Sequence, residues 1–400
     1  MEQRSSGGKE RVMAVTPKIC MLTVHGIGFQ QPPQDGMPGY ADGLHANLAE
    51  LLGDKLGNDP NRQPETDGPV YVMSAKPRTH DAEWGLSRLG TWHGDALDVT
   101  GTPLAEPDSP IAHVALIYTS LEDVSPLFGT GTGTVSEAGL LLGQYASVAG
   151  AMRLVCGDTW AALHGTGANG TVTSLRPRTD LVAAHRFSIF GFLHPELVAN
   201  KPGGSLLGTV MTLEDDVVAY VCRNDLRESI RAFIREAARR LVARPDVRAV
   251  VVNAHSQGTV ASYDALQQSP LAVTSQVDAL VTAGSPLRKY ADLFSWGNDV
   301  GGTASVGKWL NFWDPKDPVA DPLDQPATWH FGNDVVPRLE KDLGLFWAVG
   351  DGGSRGPVPI ADHRVDNLTN SSGGGLQAHN YWDNKTQFIP ELAATLEQAL

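Results

Sequence analysis

The sequence predicts an α/β protein with a mostly parallel central sheet and helices on both of its faces. Three observations carry this. After residue 215, apolar runs alternate with amphipathic stretches, which is the order that strand–helix–strand units require. VRAVVVNA (247–254) is an almost unbroken β-branched and apolar run, as a strand covered on both faces must be. ICMLTV (19–24) is a second short apolar run, and it stops at a glycine-containing turn, which marks another buried strand.

Taken in order, residues 1–17 are polar and form a flexible N-terminus, and one α/β domain fills 18–400. Residues 40–56 carry Leu44, Leu48, Leu51, Leu52 and Leu56 at helical spacing, with Gly57 as the expected C-cap. VYVMSA (70–75) and AHVALIYT (112–119) read as strands, and 80–110 give little signal. Residues 120–215 read as a largely helical lid insertion, or else a small second domain. They combine GTGTGT turns (129–134), a helical stretch near 136–156 and aromatics around Phe187–Phe192.

Residues 217–243 place Leu226, Ile230, Phe233, Ile234, Ala237 and Leu241 on one helical face. Arg227, Arg231, Arg235 and Arg239 fill the other. Pro245 and Asp246 end that helix. A helix over 258–268 follows the central strand, then strands at 277–283, 308–313 and 362–367. A helix over 386–399 closes the chain.

Composition narrows the function. The 400 residues carry 45 acidic and 31 basic side chains, a net charge of −14. An acidic surface disfavours nucleic acid and electrostatic docking on anionic lipid, and leaves a neutral substrate open. The three cysteines, Cys20, Cys156 and Cys222, are far apart and read as reduced, with no zinc set. The N-terminus has no apolar core of a secretory signal. The most apolar stretch, 138–156, is broken by Gln144 and Arg153, so no stable membrane insertion is expected. The expected compartment is the cytoplasm.

The chemistry concentrates in four places. In NAHSQGT (253–259) a strand runs into Ala-His-Ser-Gln-Gly and then a helix. Small residues two before and two after the serine, Ala254 and Gly258, let strand and helix pack at a sharp turn that exposes Ser256 as a nucleophile. The turn also sets the Gln257 N–H and the helix dipole beside a developing oxyanion. In LTVHGIG (22–28), glycines after an early strand allow close backbone approach. Ile27 supplies the second oxyanion N–H, Gly28 being the alternative donor. His25, Gly26 and Gly28 form the substrate side of this turn, with His25 mainly structural.

In LNFWDPKDPVADPL (310–323) a strand ends in three Asp-Pro steps. Asp317 is favoured as the acid that orients the base, with Asp314 and Asp321 as alternatives. In LQAHNYWDN (376–384) His379 lies in a loop before the last helix. It is the expected base, with His330 and His363 as competitors. Tyr381 and Trp382 beside it either contact the substrate or pack the loop. No HExxH, Walker loop or dinucleotide glycine fingerprint appears in the sequence.

Together AHSQGT, AGSP (283–286), the Asp-Pro-Val loop and HNYW resemble the lipase and esterase branch of the α/β-hydrolase superfamily, in particular serine esterases related to class 3 lipases. The resemblance covers 19–28 and 215–400, with Ala254 in place of the family's first glycine. It implies the α/β-hydrolase fold, the triad Ser256, Asp317 and His379 in the superfamily's chain order, a carboxylic-ester substrate, and neither metal nor organic cofactor. Leu140, Leu141, Leu142, Phe187, Phe190 and Phe192 would give that substrate an apolar pocket, or else form the core of the lid. Acyl transfer or amide hydrolysis by the same triad, and a silent hydrolase fold that only binds, are the competing readings. Oligomeric state is not encoded in any pattern found.

Overall fold

The computed structural model describes residues 18–26, 39–60, 69–74, 103–118, 220, 224–267, 277–288, 306–317, 319–324, 346–349, 359–372 and 377–400. It also describes short strands at 175–177, 294–296, 329–331, 334–336 and 355–357. The expected N-terminal segment 1–17, Ile27 and Gly28 lie outside these residues. So does all of the expected lid except Leu175–Pro177, a strand antiparallel to Phe294–Trp296.

Eight strands form one sheet in which every pairing is parallel. They are β1 (Lys18–Val24), β2 (Leu56–Gly57), β3 (Tyr71–Ser74), β4 (Ile111–Ile117), β5 (Val247–His255), β6 (Val277–Ala283), β7 (Val306–Trp313) and β8 (Ile360–Arg364). Their order is β8-β7-β6-β5-β1-β4, with β2 and β3 both pairing with the far side of β4. The longer helices among the described residues are α1 (Asp42–Leu52), α2 (Asn224–Ala243), α3 (Gln257–Gln267) and α4 (Phe388–Ala399). The chain is an α/β protein.

Side-chain alternation divides the sheet's faces. Ile19, Met21, Val251, Val281, Leu310 and Phe312 share one apolar core with Leu44 and Leu48 of α1 and Phe388, Leu392 and Leu396 of α4. Cys20, Leu22, Val250, Val252 and Leu280 alternate with them and are also fully buried. On that second face α2 and α3 pack on each other and on β5. Burial drives the Cys20 thiol up to about 12, so it is inert packing.

Two expectations change. The first helix stops at Leu52, where Gly53 caps it at φ 54° with its N–H on the Ala49 carbonyl. Gly57 is therefore no cap: Leu56 and Gly57 pair with Ile111 and Ala112 as a sheet strand. Leu51, counted in the apolar stripe, is 53 % exposed.

The arginine stripe of α2 is also not a solvent face throughout. Arg227 is fully buried and grips Asp264 of α3 from Nε at 2.7 Å and Nη2 at 2.9 Å. The Tyr220 hydroxyl donates to the same carboxylate at 2.9 Å. The pair bolts α2 to α3, and removing one partner strands the other's charge. We expect Asp264→Asn to lower unfolding free energy by about 3 kcal/mol, read from urea midpoints.

Under α1 a polar chain crosses the other face. The Asn253 amide lies 3.5 Å from Thr23 Oγ1, which lies 2.8 Å from His113 Nε2. His113 Nδ1 lies 3.2 Å from His45 Nδ1, and His45 Nε2 lies 3.1 Å from Asn58 Oδ1. Among the described residues no helix is long and apolar enough to cross a membrane, and no cluster of three potential metal ligands occurs.

Candidate active site

The site is built at the C-terminal end of the sheet, where β5, β6 and β7 deliver their following loops. β5 ends at His255 and α3 starts at Gln257, so a single residue, Ser256, turns the chain. Its φ is 54°, the one positive φ of a non-glycine residue among those described. Such a conformation costs on the order of 1–3 kcal/mol and persists only when its surroundings enforce it. Here the Ser256 N–H donates to the Ala283 carbonyl at 2.9 Å. Its own carbonyl accepts from the Thr259 N–H at 2.9 Å and the Thr259 hydroxyl at 2.7 Å.

The glycines flanking the turn sit where no side chain fits. A Cβ on Gly258 would lie 2.2 Å from the His25 carbonyl oxygen. A Cβ on Gly26 would lie 2.5 Å from Ser256 Cβ and 3.2 Å from its Oγ. The His25-Gly26 turn thus lies directly against the serine. Ala254, at the third small position, is fully buried.

His25 serves the turn. Its ring stacks on Tyr118 at 4.2 Å and meets the edge of Tyr40 at 5.2 Å. Its Nδ1 donates to the Gly26 carbonyl at 2.8 Å, and the Tyr118 hydroxyl donates to its carbonyl at 3.1 Å. Burial pushes its pKa down to about 4, so the ring is neutral packing.

Of the three aspartates after β7, Asp317 is the one on the histidine. His379 Nδ1 lies 2.7 Å from Asp317 Oδ2. Oδ2 also accepts from the Tyr381 hydroxyl at 2.8 Å, and Oδ1 accepts from the Val319 N–H at 2.9 Å. Burial alone would raise this carboxyl's pKa, but His379 and these two donors hold it below the usual value. Asp314 instead accepts from the N–H groups of Lys316 and Asn367, at 2.8 and 2.6 Å. Burial raises its pKa. The main chain of Asp321 meets Ser285 and Asn311, bracing the loop. His363 stacks on Phe312 at 4.7 Å on the edge strand β8, and nothing is described of the His330 side chain.

With its Nδ1–H on a carboxylate, His379 keeps Nε2 as a proton acceptor. That atom is buried and has no hydrogen-bond partner among the described residues. The imidazole rests on Gly284, where a Cβ would lie 2.6 Å from His379 Cε1. Gly284 has φ 64° and directly follows Ala283, whose carbonyl holds the Ser256 N–H. Serine and imidazole therefore share one strand end as their support.

Tyr381 takes a packing role. It is fully buried, and its hydroxyl accepts from the Asp314 N–H at 2.9 Å while donating to Asp317. Trp382 is half-buried, with its ring 5.1 Å from His255 and 6.0 Å from Tyr40. Its carbonyl accepts from the Asn47 amide at 2.8 Å, which pins the loop to α1. Gln257 opens α3 and is buried. Its N–H thus lies in the positive first turn of that helix.

Sequence reasoning assigned no role to Gly284, to His255 or to the Tyr381 hydroxyl. The signal for the first was available: AGSP follows a buried strand, and a glycine there marks a close approach. Comparison with family models, curated proteins and solved structures gave no match.

Proposed function

We propose that this chain is a serine hydrolase of the α/β-hydrolase type that cleaves a carboxylic ester through an acyl-enzyme on Ser256. The observation that carries the reading is the buried Asp317–His379 pair, whose unengaged Nε2 shares the β6 end with a serine held at positive φ. A purely structural serine turn needs neither the strain nor the pair.

His379 Nε2 removes the Ser256 hydroxyl proton while Oγ attacks the ester carbonyl carbon. The N–H groups of Gln257 and Ile27 receive the oxyanion, each worth about 100–1000-fold in rate. The C–O bond to the alcohol breaks, and the alcohol leaves with the proton from His379. Water then gives a proton to His379 and attacks the acyl carbon. The acid departs and Ser256 recovers its proton. Asp317 keeps the imidazole in the Nδ1–H tautomer and stabilises its cation throughout. The substrate proposed is small and apolar, consistent with the acidic surface having no charge to neutralise on it.

The test is labelling by a fluorophosphonate probe, followed by p-nitrophenyl esters of increasing chain length. Wild type should label and Ser256→Ala should not. Asp317→Asn should lower kcat/KM by about 10⁴-fold, since it favours the wrong tautomer. A folded wild-type protein that neither labels nor turns over any ester would overturn the proposal.

A further inference from the structure

Among the buried side chains of the site that the mechanism above leaves unused is His255. His255 ends β5, is 3 % exposed, and precedes the serine in the chain. Its ring lies 4.5 Å from that of His379, 5.1 Å from Trp382 and 6.0 Å from Tyr381. Its Nε2 lies 2.9 Å from the carbonyl oxygen of His379, 124 residues away. A carbonyl only accepts, so Nε2 carries the proton and donates it.

We propose that His255 is a positioning residue: its Nε2–H holds the main chain of His379 at the distance from which the imidazole reaches Ser256. The base's ring is fixed from one side by Asp317 and from below by Gly284. Its main chain hangs from a short turn, Gln377–His379. His255 ties that turn to the strand that carries the nucleophile, so serine and base cannot move independently. The tie does not titrate along with the base. Burial, reinforced by the nearby His379, lowers the His255 pKa to about 3, so the ring stays a neutral donor through the range in which an imidazole base works. A misplacement of 1 Å in a catalytic group is enough to cost about 100-fold in rate.

The positioning stands on this geometry alone; its catalytic consequence rests on the serine-hydrolase reading. Two readouts separate them. The first is the far-downfield proton resonance of the His379 Nδ1–H on Asp317, assigned by its loss in Asp317→Asn. The second is the second-order rate of fluorophosphonate labelling. His255→Phe keeps a ring and removes the donor, and His255→Gln restores an N–H at similar reach.

We expect His255→Phe to broaden or erase the resonance and to slow labelling by about 10–100-fold, with unfolding midpoints showing that it is folded. His255→Gln should recover the resonance and bring labelling to within about 5-fold of wild type. A His255→Phe protein with the wild-type resonance overturns the proposal, whatever its labelling rate. If wild type does not label, the hydrolase reading falls. The positioning role is then upheld by loss of the resonance in His255→Phe and its return in His255→Gln. Should His255→Phe fail to fold, His255→Gln decides alone: a resonance lost despite the restored donor refutes the proposal, and one retained supports it.

Discussion

Alanine at Gly258 should prevent stable folding, whereas alanine at Gly284 should leave a folded protein that has lost the proposed chemistry. Both glycines make close approaches, but to different kinds of atom. A Cβ added at Gly258 would stand 2.2 Å from the His25 carbonyl oxygen and 2.8 Å from that of Val24. These are main-chain atoms at the end of β1, which is hydrogen-bonded on both sides by β5 and β4. Neither can move without the sheet. α3 would have to lift away instead, and it carries buried Val260, Tyr263 and the Asp264–Arg227 pair with it. We expect a loss above about 4 kcal/mol, the range reserved for gross overpacking of a rigid contact.

At Gly284 the nearest atoms belong to side chains: His379 Cε1 at 2.6 Å, His379 Nδ1 at 2.9 Å and Tyr381 Cε2 at 3.0 Å. The φ of 64° costs a non-glycine residue about 1–3 kcal/mol. The rest of the strain is relieved by pushing the imidazole off its seat. Displacement of the base by about 1 Å should lower fluorophosphonate labelling by about 100-fold or more. Urea midpoints and labelling rates for the two variants decide this. Wild-type labelling by Gly284→Ala would mean that the imidazole does not sit on Gly284 when it works.

The contrast also shows what a sequence can and cannot announce. Patterns with a local period were readable. The β-branched run of β5, the apolar stripe of α2 and the sharp turn with Gly258 each report geometry within a few residues. Asp317 was separable from Asp314 only as a preference, because both end the same strand in the same Asp-Pro context. The distinction lies in which one faces His379, 62 residues away. Arg227 read as solvent-facing for the same reason: its partner Asp264 is 37 positions off, and no period within α2 announces it. β2 was missed because two residues carry no alternation at all. Tyr381 and His255 were legible as aromatic or polar sequence neighbours of His379 and Ser256, but their hydrogen-bond partners are set by the way loops meet in space.

Acid should destabilise the fold well above the pH at which carboxylates protonate. Among the described residues four buried histidines are held neutral: His25, His45, His113 and His255. Burial lowers the pKa of each, to about 4 for His25 and about 3 for His255. The unfolded chain, with histidines near 6.5, therefore binds more protons than the native state from about pH 6.5 downward. Stability is complete above that value and falls with pH through the window to about pH 4, by up to about 1.4 kcal/mol per pH unit for each histidine.

Burial keeps His45 and His113 uncharged, and the hydrogen-bond chain under α1 sets their neutral tautomers. The Asn58 Oδ1 can only accept, so His45 Nε2 donates to it and His45 Nδ1 must accept. His113 Nδ1 then donates, and its Nε2 accepts from Thr23. A proton added to His45 goes on Nδ1, against the His113 Nδ1–H at 3.2 Å, and one added to His113 goes on Nε2, toward the Thr23 hydroxyl. The Asn58 hydrogen bond and, less strongly, Glu106 favour a charged His45, but burial outweighs both. At His255, Asp317 pulls upward while burial and His379 push down.

The carboxylates enter elsewhere. Asp317 is held below its usual pKa, so its stabilisation is lost only as pH falls below about 4. Urea unfolding at pH 7.5, 6.5, 5.5 and 4.5 should show a free energy that starts to fall as pH approaches 6.5. Below that it should fall by several kcal/mol, a large share of the roughly 5–15 kcal/mol a domain possesses. The slope counts the protons taken up on unfolding. Replacing His45 and His113 together by Gln should flatten that slope by the equivalent of two protons, at whatever cost in stability at neutral pH. A free energy independent of pH down to 4.5 would mean that these rings are not held neutral.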